Sequence, residues 1–190
     1  HSFEINKDDI PGRQRLEKEI ISCEEYQNKR KNTKDKEQLA SMLKEIRRDK
    51  IQCLRISDYH TTGLLGVNLR GETPFYLLTK GSGLSNKVGT SGGSKGIGKY
   101  ASFVASAFNT VFYSTYTKDH EEGYIGICKL CSTTIDGSDE KTQGIGYYGS
   151  DNKNNPILEQ ISIDPDFKRD TFGTDIYILG IKNEETWEKE

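Results

Sequence analysis

Eight residues, Gly92-Gly93-Ser94-Lys95-Gly96-Ile97-Gly98-Lys99, hold four glycines and two lysines and run directly into Tyr100-Ala101-Ser102-Phe103-Val104-Ala105-Ser106-Ala107-Phe108. A glycine-rich loop that opens a helix collects free backbone N–H groups at the positive end of the helix dipole, where a phosphate is best held. The fold must therefore present a loop-to-helix junction here. What precedes the loop decides which architecture owns it.

Two familiar owners fail on that test. Gly93, four residues and then Gly98-Lys99 satisfy the GxxxxGK spacing, but the next position needs a hydroxyl for magnesium and holds Tyr100. A P-loop also leaves a buried apolar strand, and Asn86-Lys87-Val88-Gly89-Thr90-Ser91-Gly92-Gly93-Ser94-Lys95 is not one. The same missing strand rules out the dinucleotide fingerprint that Gly96, Gly98 and Ala101 otherwise match.

The rest of the chain sets the context. A helix is expected over residues 8–29, with Asp8 and Asp9 at its start, Pro11 in its first turn and Leu16, Ile20 and Cys23 as its apolar stripe. Residues 28–36 are a charged break. A second helix follows, with Leu39, Met42, Leu43 and Ile46 on one face. Ile51 to Ser57 reads as a strand ending at Asp58. A turn-rich stretch to about Gly98 comes next, interrupted by a weak helix near Thr73 to Leu78; so long an irregular stretch is either functional or mobile. After the helix at 98–108 the pattern turns to β: Thr110 to Tyr116, Tyr124 to Cys131, Gly144 to Tyr148, Ile157 to Ile163 and Thr174 to Ile181. Helices, a strand, a glycine loop, a helix and several strands predict an α+β domain: a two-layer, largely antiparallel sheet with helices on one face.

Composition narrows the partners. Of the 190 residues, 33% are hydrophobic and 29% charged, with a formal net charge of −2. That length supports one domain with a proper core. Without a basic excess, nucleic acid is not indicated. No apolar run approaches the ~20 residues that span a bilayer, and the N-terminus lacks the pattern of a signal peptide; a cytoplasmic chain with no membrane partner is expected. His1-Ser2 in place of an initiator methionine, and Glu184 to Glu190 as helical turns without continuation, read as the ends of a fragment. Cys128-Lys129-Leu130-Cys131 has CxxC spacing but no second CxxC, and i and i+3 in a strand point to opposite faces. Reduced core cysteines are the expectation for all four.

Three stretches, in order, carry a resemblance. Ile56-Ser57-Asp58-Tyr59-His60-Thr61-Thr62-Gly63-Leu64 is similar to a stretched strand-end DxGxG motif, with Asp58 in the aspartate's place and Gly63 in a loop glycine's. Gly92 to Ala101 resembles the second glycine box, GxxGxG. Phe172-Gly173-Thr174-Asp175-Ile176-Tyr177-Ile178 resembles the late strand whose threonine supports adenine. Together, over about residues 51 to 181, they resemble the Bergerat-fold ATP-binding domain of the GHKL group, in particular bacterial members with DYxTTGL and GGSxGIGK boxes. Lys80 to Lys87 resembles that group's mobile lid. The resemblance implies residues 1–50 as a helical segment of the same domain, 51–183 as the nucleotide-binding core and 184–190 as the start of a truncated helix. It implies ATP and Mg2+ as cofactors, and as site residues Asp58, Thr62, Gly63, Gly93, Ser94, Lys95, Gly96, Ile97, Gly98, Lys99 and Thr174. Members of the group often dimerise through this domain and carry further domains in a longer parent, so both are expected partners.

Each position has a chemical rationale and a plainer alternative. A carboxylate at 58 accepts a hydrogen bond from the adenine amine and rejects a guanine carbonyl, which brings no donor; alone, Asp58 is equally a strand-end turn residue. Gly96 and Gly98 let backbone approach phosphate oxygens, while Lys95 and Lys99 supply charge; Gly92 and Gly93 read equally as a flexible linker, and the lysines as solvated. Thr174 reaches the adenine edge or is an ordinary strand threonine. His60 reads as a surface-loop residue.

One departure matters. The group's hydrolytic glutamate and magnesium-binding asparagine, four residues apart on an early helix, have no clear counterpart. Glu37 and Ser41 have the spacing but lack the amide, and Glu24 and Asn28 sit in polar surroundings. The expectation is that the helix lies upstream of His1, that no catalytic or metal-binding residue is assignable, and that this chain hydrolyses ATP weakly or not at all, the parent being an ATPase or nucleotide-driven switch. The rival is a non-catalytic interaction module, with a flexible glycine loop and a partner surface on the helices at 8–48. A kinase lacks its phospho-acceptor histidine helix.

Overall fold

The computed structural model describes residues 1–30, 33–81, 97–134, 140–150 and 154–182; of residue 33 and of 97–99 it describes the backbone alone. Six strands form one antiparallel sheet in the order β1-β2-β6-β3-β4-β5: β1 (Ser2–Asn6), β2 (Lys50–Ser57), β3 (Thr110–Tyr116), β4 (Glu122–Lys129), β5 (Ile145–Tyr148) and β6 (Gly173–Leu179). Among the described residues four α-helices accompany it: α1 (Arg13–Arg30), α2 (Thr33–Ile46), α3 (Pro74–Thr79) and α4 (Ile97–Ala105). The class is α+β, as the order of elements predicts.

The long helices pack where their stripes require. Ile20 and Cys23 of α1 and Leu39, Met42, Leu43 and Ile46 of α2 close on Ile5, Ile51, Cys53, Phe112, Tyr177 and Leu179 from one face of the sheet. The short helices and the loop before α3 cover the other face: Val67, Phe75 and Phe103 pack on Val111, Tyr113, Ile125 and Ile127. This corrects the expectation of helices on one face only. The reason is legible in β3, where every residue from Thr110 to Thr115 is buried. A strand that is apolar or uncharged on both sides needs cover on both.

Two strand boundaries also differ from expectation. The run Ile157 to Ile163 contributes a single bridge, Ile157 to Tyr124, with mutual N–H···O bonds of 2.8 and 2.9 Å. Its other isoleucines pack on the core without joining a ladder, because β5 already occupies the β4 edge from Gly126 to Lys129. β4 stops at Lys129, so Cys131 lies beyond the pleat, and the opposite-faces rule for Cys128 and Cys131 does not apply. The N-terminal strand β1, absent from the sequence reading, pairs with β2 from Ser2↔Leu54 to Asn6↔Lys50. No helix among the described residues is long and apolar enough to cross a membrane.

Candidate functional site

Antiparallel register decides which predicted site residues meet. Ser57 pairs with Asp175, and β6 continues across to β3 with Thr174 opposite Thr115. Asp58 follows directly after β2, and its N–H donates to the Thr174 carbonyl at 3.0 Å. Alternation along the strands places Thr174 and Thr115 on the face that carries Tyr113 and Ile176, the face covered by α3 and α4.

At this strand end the Asp58 carboxylate is held by two donors. Its Oδ1 accepts from the Thr174 N–H at 2.6 Å and from the Thr61 hydroxyl at 3.0 Å. Its Oδ2 has no hydrogen bond to any described residue, and the residue is exposed. The loop that follows is pinned to the same place. The fully buried Thr115 hydroxyl accepts from Leu64 N–H at 2.9 Å and donates to the Gly173 carbonyl at 3.1 Å; the Thr174 hydroxyl lies 3.5 Å from it. Gly63 sits at φ +64 with room for no Cβ, which would lie 2.7 Å from the Tyr116 carbonyl. Glycine is needed here both for the left-handed backbone and for the close approach. Thr62 is exposed, and its carbonyl accepts from Lys118 N–H at 3.1 Å. Asp58, Thr62, Gly63 and Thr174 thus form one cluster.

Beneath it lies an anchor that the sequence reading missed. Arg169 forms a two-pronged ion pair with Asp175, Nε to Oδ2 and Nη2 to Oδ1 both at 2.7 Å, with side chains 3% and 1% exposed. The same guanidinium donates to the carbonyls of Asp58 (2.9 Å), Thr174 (3.2 Å) and Thr171 (3.1 Å), and the Ser57 hydroxyl donates to Asp175 Oδ1 at 2.6 Å. Burial lowers the Arg169 pKa, but the hydrogen bonds and charge of Asp175 outweigh it and hold the group above the usual arginine value. A buried charge pair is tolerated when its spare donors and lone pairs are also satisfied, and here they are. The signal was present: a charge at 175 inside the run Thr174 to Leu179 demands a buried partner.

The glycine box is described only from Ile97 on. Gly93, Ser94, Lys95 and Gly96 lie outside the described residues, as does most of the expected lid. Ile97, Gly98 and Lys99 form the first turn of α4. The described side chains of α4 lie over the same face as Thr174 but at the other end of β3: the Lys129 ammonium sits 3.6 Å from the Tyr100 ring centroid and 4.2 Å from that of Phe103, beside the Thr110↔Cys128 pair. Thr110 and Thr115 are five residues apart, roughly 17 Å of strand. Neither glutamate candidate shares this face. Glu37 and Ser41 are on the exposed side of α2, and Glu24 and Asn28 are on α1, across the sheet. Among the described residues no group of three His, Cys, Asp or Glu is disposed to hold a metal ion. His60 is exposed with φ +56.

Comparison of the chain with protein-family models, with curated proteins and with solved structures found no match.

Proposed function

We propose that this chain is the ATP-binding domain of a GHKL-type ATPase and serves as a nucleotide-driven switch in a longer protein. One observation carries the reading: Asp58 and Thr174, 116 residues apart, are joined directly at one strand end, with the Thr61–Gly63 loop folded over the same point. The arrangement suits adenine. Thr61 and Thr174 occupy Oδ1 of Asp58 and fix the carboxylate plane, which leaves Oδ2 to accept the exocyclic amine. A purine carbonyl in that position would face an acceptor with no proton between them, a mismatch that costs about 1–3 kcal/mol when the group is desolvated.

The triphosphate would then run along the α3–α4 face toward the first turn of α4, whose N–H groups and dipole favour anions. Magnesium would arrive with the phosphates, which supply most of its oxygen ligands in such sites. Arg169 and Asp175 act as positioning residues that hold the Asp58 backbone.

Differential scanning fluorimetry with ATP and magnesium tests the proposal, with Asp58→Ala beside the parent. A ligand at 100 times its Kd stabilises by about 2.7 kcal/mol, and a domain of this size responds with a shift of about 2–4 °C per kcal/mol. The parent is expected to shift by roughly 5–10 °C with ATP and by much less with GTP, and the variant by nothing. No shift for the parent would remove the nucleotide reading in favour of an interaction module.

A further inference from the structure

The sheet face opposite Asp58 holds a cavity of about 520 Å3 between α1 and the strands β3, β4 and β5. Three of the four cysteines line it: Cys23 from α1, Cys128 from β4 and Cys131 from the chain just beyond β4. The sequence draws the eye to the CxxC pair, Cys128 and Cys131. The fold pairs different residues. Cys23 Sγ donates to the Cys131 carbonyl at 3.4 Å, and Cys131 Sγ donates to the Cys23 carbonyl at 4.0 Å. Each sulfur thus lies against the backbone of the other cysteine, the juxtaposition from which a disulfide closes. Cys128 instead packs on β5, where a Cβ at Gly146 would lie 2.7 Å from its sulfur.

We propose that Cys23 and Cys131 are a reversible oxidation site, a thiol pair that takes a peroxide as oxidant and closes to a disulfide strapping α1 to the end of β4. The two thiols are suited to different roles. Cys131 is partly exposed and lines a cavity whose rim includes the exposed Arg15 and Glu19, so a molecule as small as hydrogen peroxide reaches it. Cys23 is buried, and burial, with the Cys131 side chain beside it, pushes its thiol up to about 12. Cys131 is therefore the attacking sulfur. Its thiolate bonds to one peroxide oxygen, the O–O bond breaks, and hydroxide leaves and is protonated to water. The sulfenic acid so formed is attacked by the Cys23 sulfur. The S–S bond forms, the S–O bond breaks, and the hydroxyl departs as a second water with the Cys23 proton. Two thiols and one peroxide give one disulfide and two waters. The strap bridges residues 108 apart in sequence, a long loop of the kind a cross-link constrains most. It also fixes one wall of the cavity.

The test treats the whole chain with a small excess of hydrogen peroxide, blocks free thiols and maps the peptides by non-reducing mass spectrometry. A Cys23–Cys131 cross-link, two hydrogens lighter than the reduced peptides and reversed by dithiothreitol, is expected. Cys128→Ser keeps it and Cys131→Ser abolishes it. Cys23→Ser leaves Cys131 as a sulfenic acid that dimedone traps. The oxidised parent should melt roughly 10 °C higher than the reduced one. A Cys128–Cys131 cross-link, a Cys131 oxidised with Cys23 untouched, a fully reduced chain, or an unchanged or lowered Tm each overturns the proposal. The mapping of the parent stands even if Cys23→Ser does not fold.

Discussion

A single guanidinium organises the strand end on which the proposed site rests. Arg169 reaches Asp175, the Asp58 carbonyl and two further carbonyls at once. Its removal strands a carboxylate that is 1% exposed. Arg169→Ala is expected to destabilise the chain by about 3–5 kcal/mol, the usual cost of leaving a buried charge unpaired, read as a drop in the urea midpoint. Arg169→Ala combined with Asp175→Asn should recover part of that loss; a double variant no more stable than the single one would count against the pair as the cause. This scale is also where sequence reasoning reached least far. Asp58, Gly63 and Thr174 were visible because each stands in a recognisable local pattern. Arg169 stands in none. Its importance comes from contacts with residues 58, 174 and 175, which only the register of β2 on β6 brings together. The Cys23–Cys131 pair was hidden for the same reason, while Cys128 drew attention through spacing alone.

Among the elements, those with complete local signals were legible. α2 shows four apolar residues at helical spacing and all four are buried. α3 is only six residues long, yet Pro74 opens it and the Thr73 hydroxyl accepts from Tyr76 N–H at 3.2 Å. With so few internal bonds the cap is a large share of its stability. Thr73→Ala should cost about 1 kcal/mol and speed hydrogen exchange at Leu77 and Leu78 while leaving α1 and α2 unchanged. Uniform acceleration across all helices would show that α3 is not an independent unit. β1 escaped notice because five residues with two apolar side chains carry little pattern, and its existence depends on β2 offering an edge. The Ile157 to Ile163 run failed in the opposite sense: its pattern was adequate, but the neighbouring edge was already taken by β5.

Taken whole, the molecule favours the protonated form of several thiols and phenols. Burial pushes Cys23 and Cys53 up to about 12, Cys128 to about 11, and Tyr124 and Tyr177 to about 12. In the unfolded chain thiols lose their protons from roughly pH 8.5 and tyrosines from roughly pH 10. Between those values and about 11–12 the native state binds more protons than the unfolded one. Stability is therefore fully present below the unfolded values and falls as the pH rises through the window. Urea unfolding at pH 8 and at pH 10.5, at one ionic strength and with reductant present, should give a clearly lower midpoint at the higher pH. Equal midpoints would mean that these groups titrate alike in both states.

The sheet order has a consequence for how the chain comes to be assembled. β6 lies between β2 and β3 and is hydrogen-bonded to both, so among the described strands the two halves of the sheet are joined by β6, which follows the other five in the sequence. From the release of Ser57 to that of Leu179, on the order of ten seconds at ordinary rates of translation, the nascent chain carries the β1–β2 pair and then a β3–β4–β5 meander, each with an open edge. Such edges invite pairing with a neighbouring chain. Yield during biosynthesis should therefore depend on whatever shields those two edges until the keystone strand arrives.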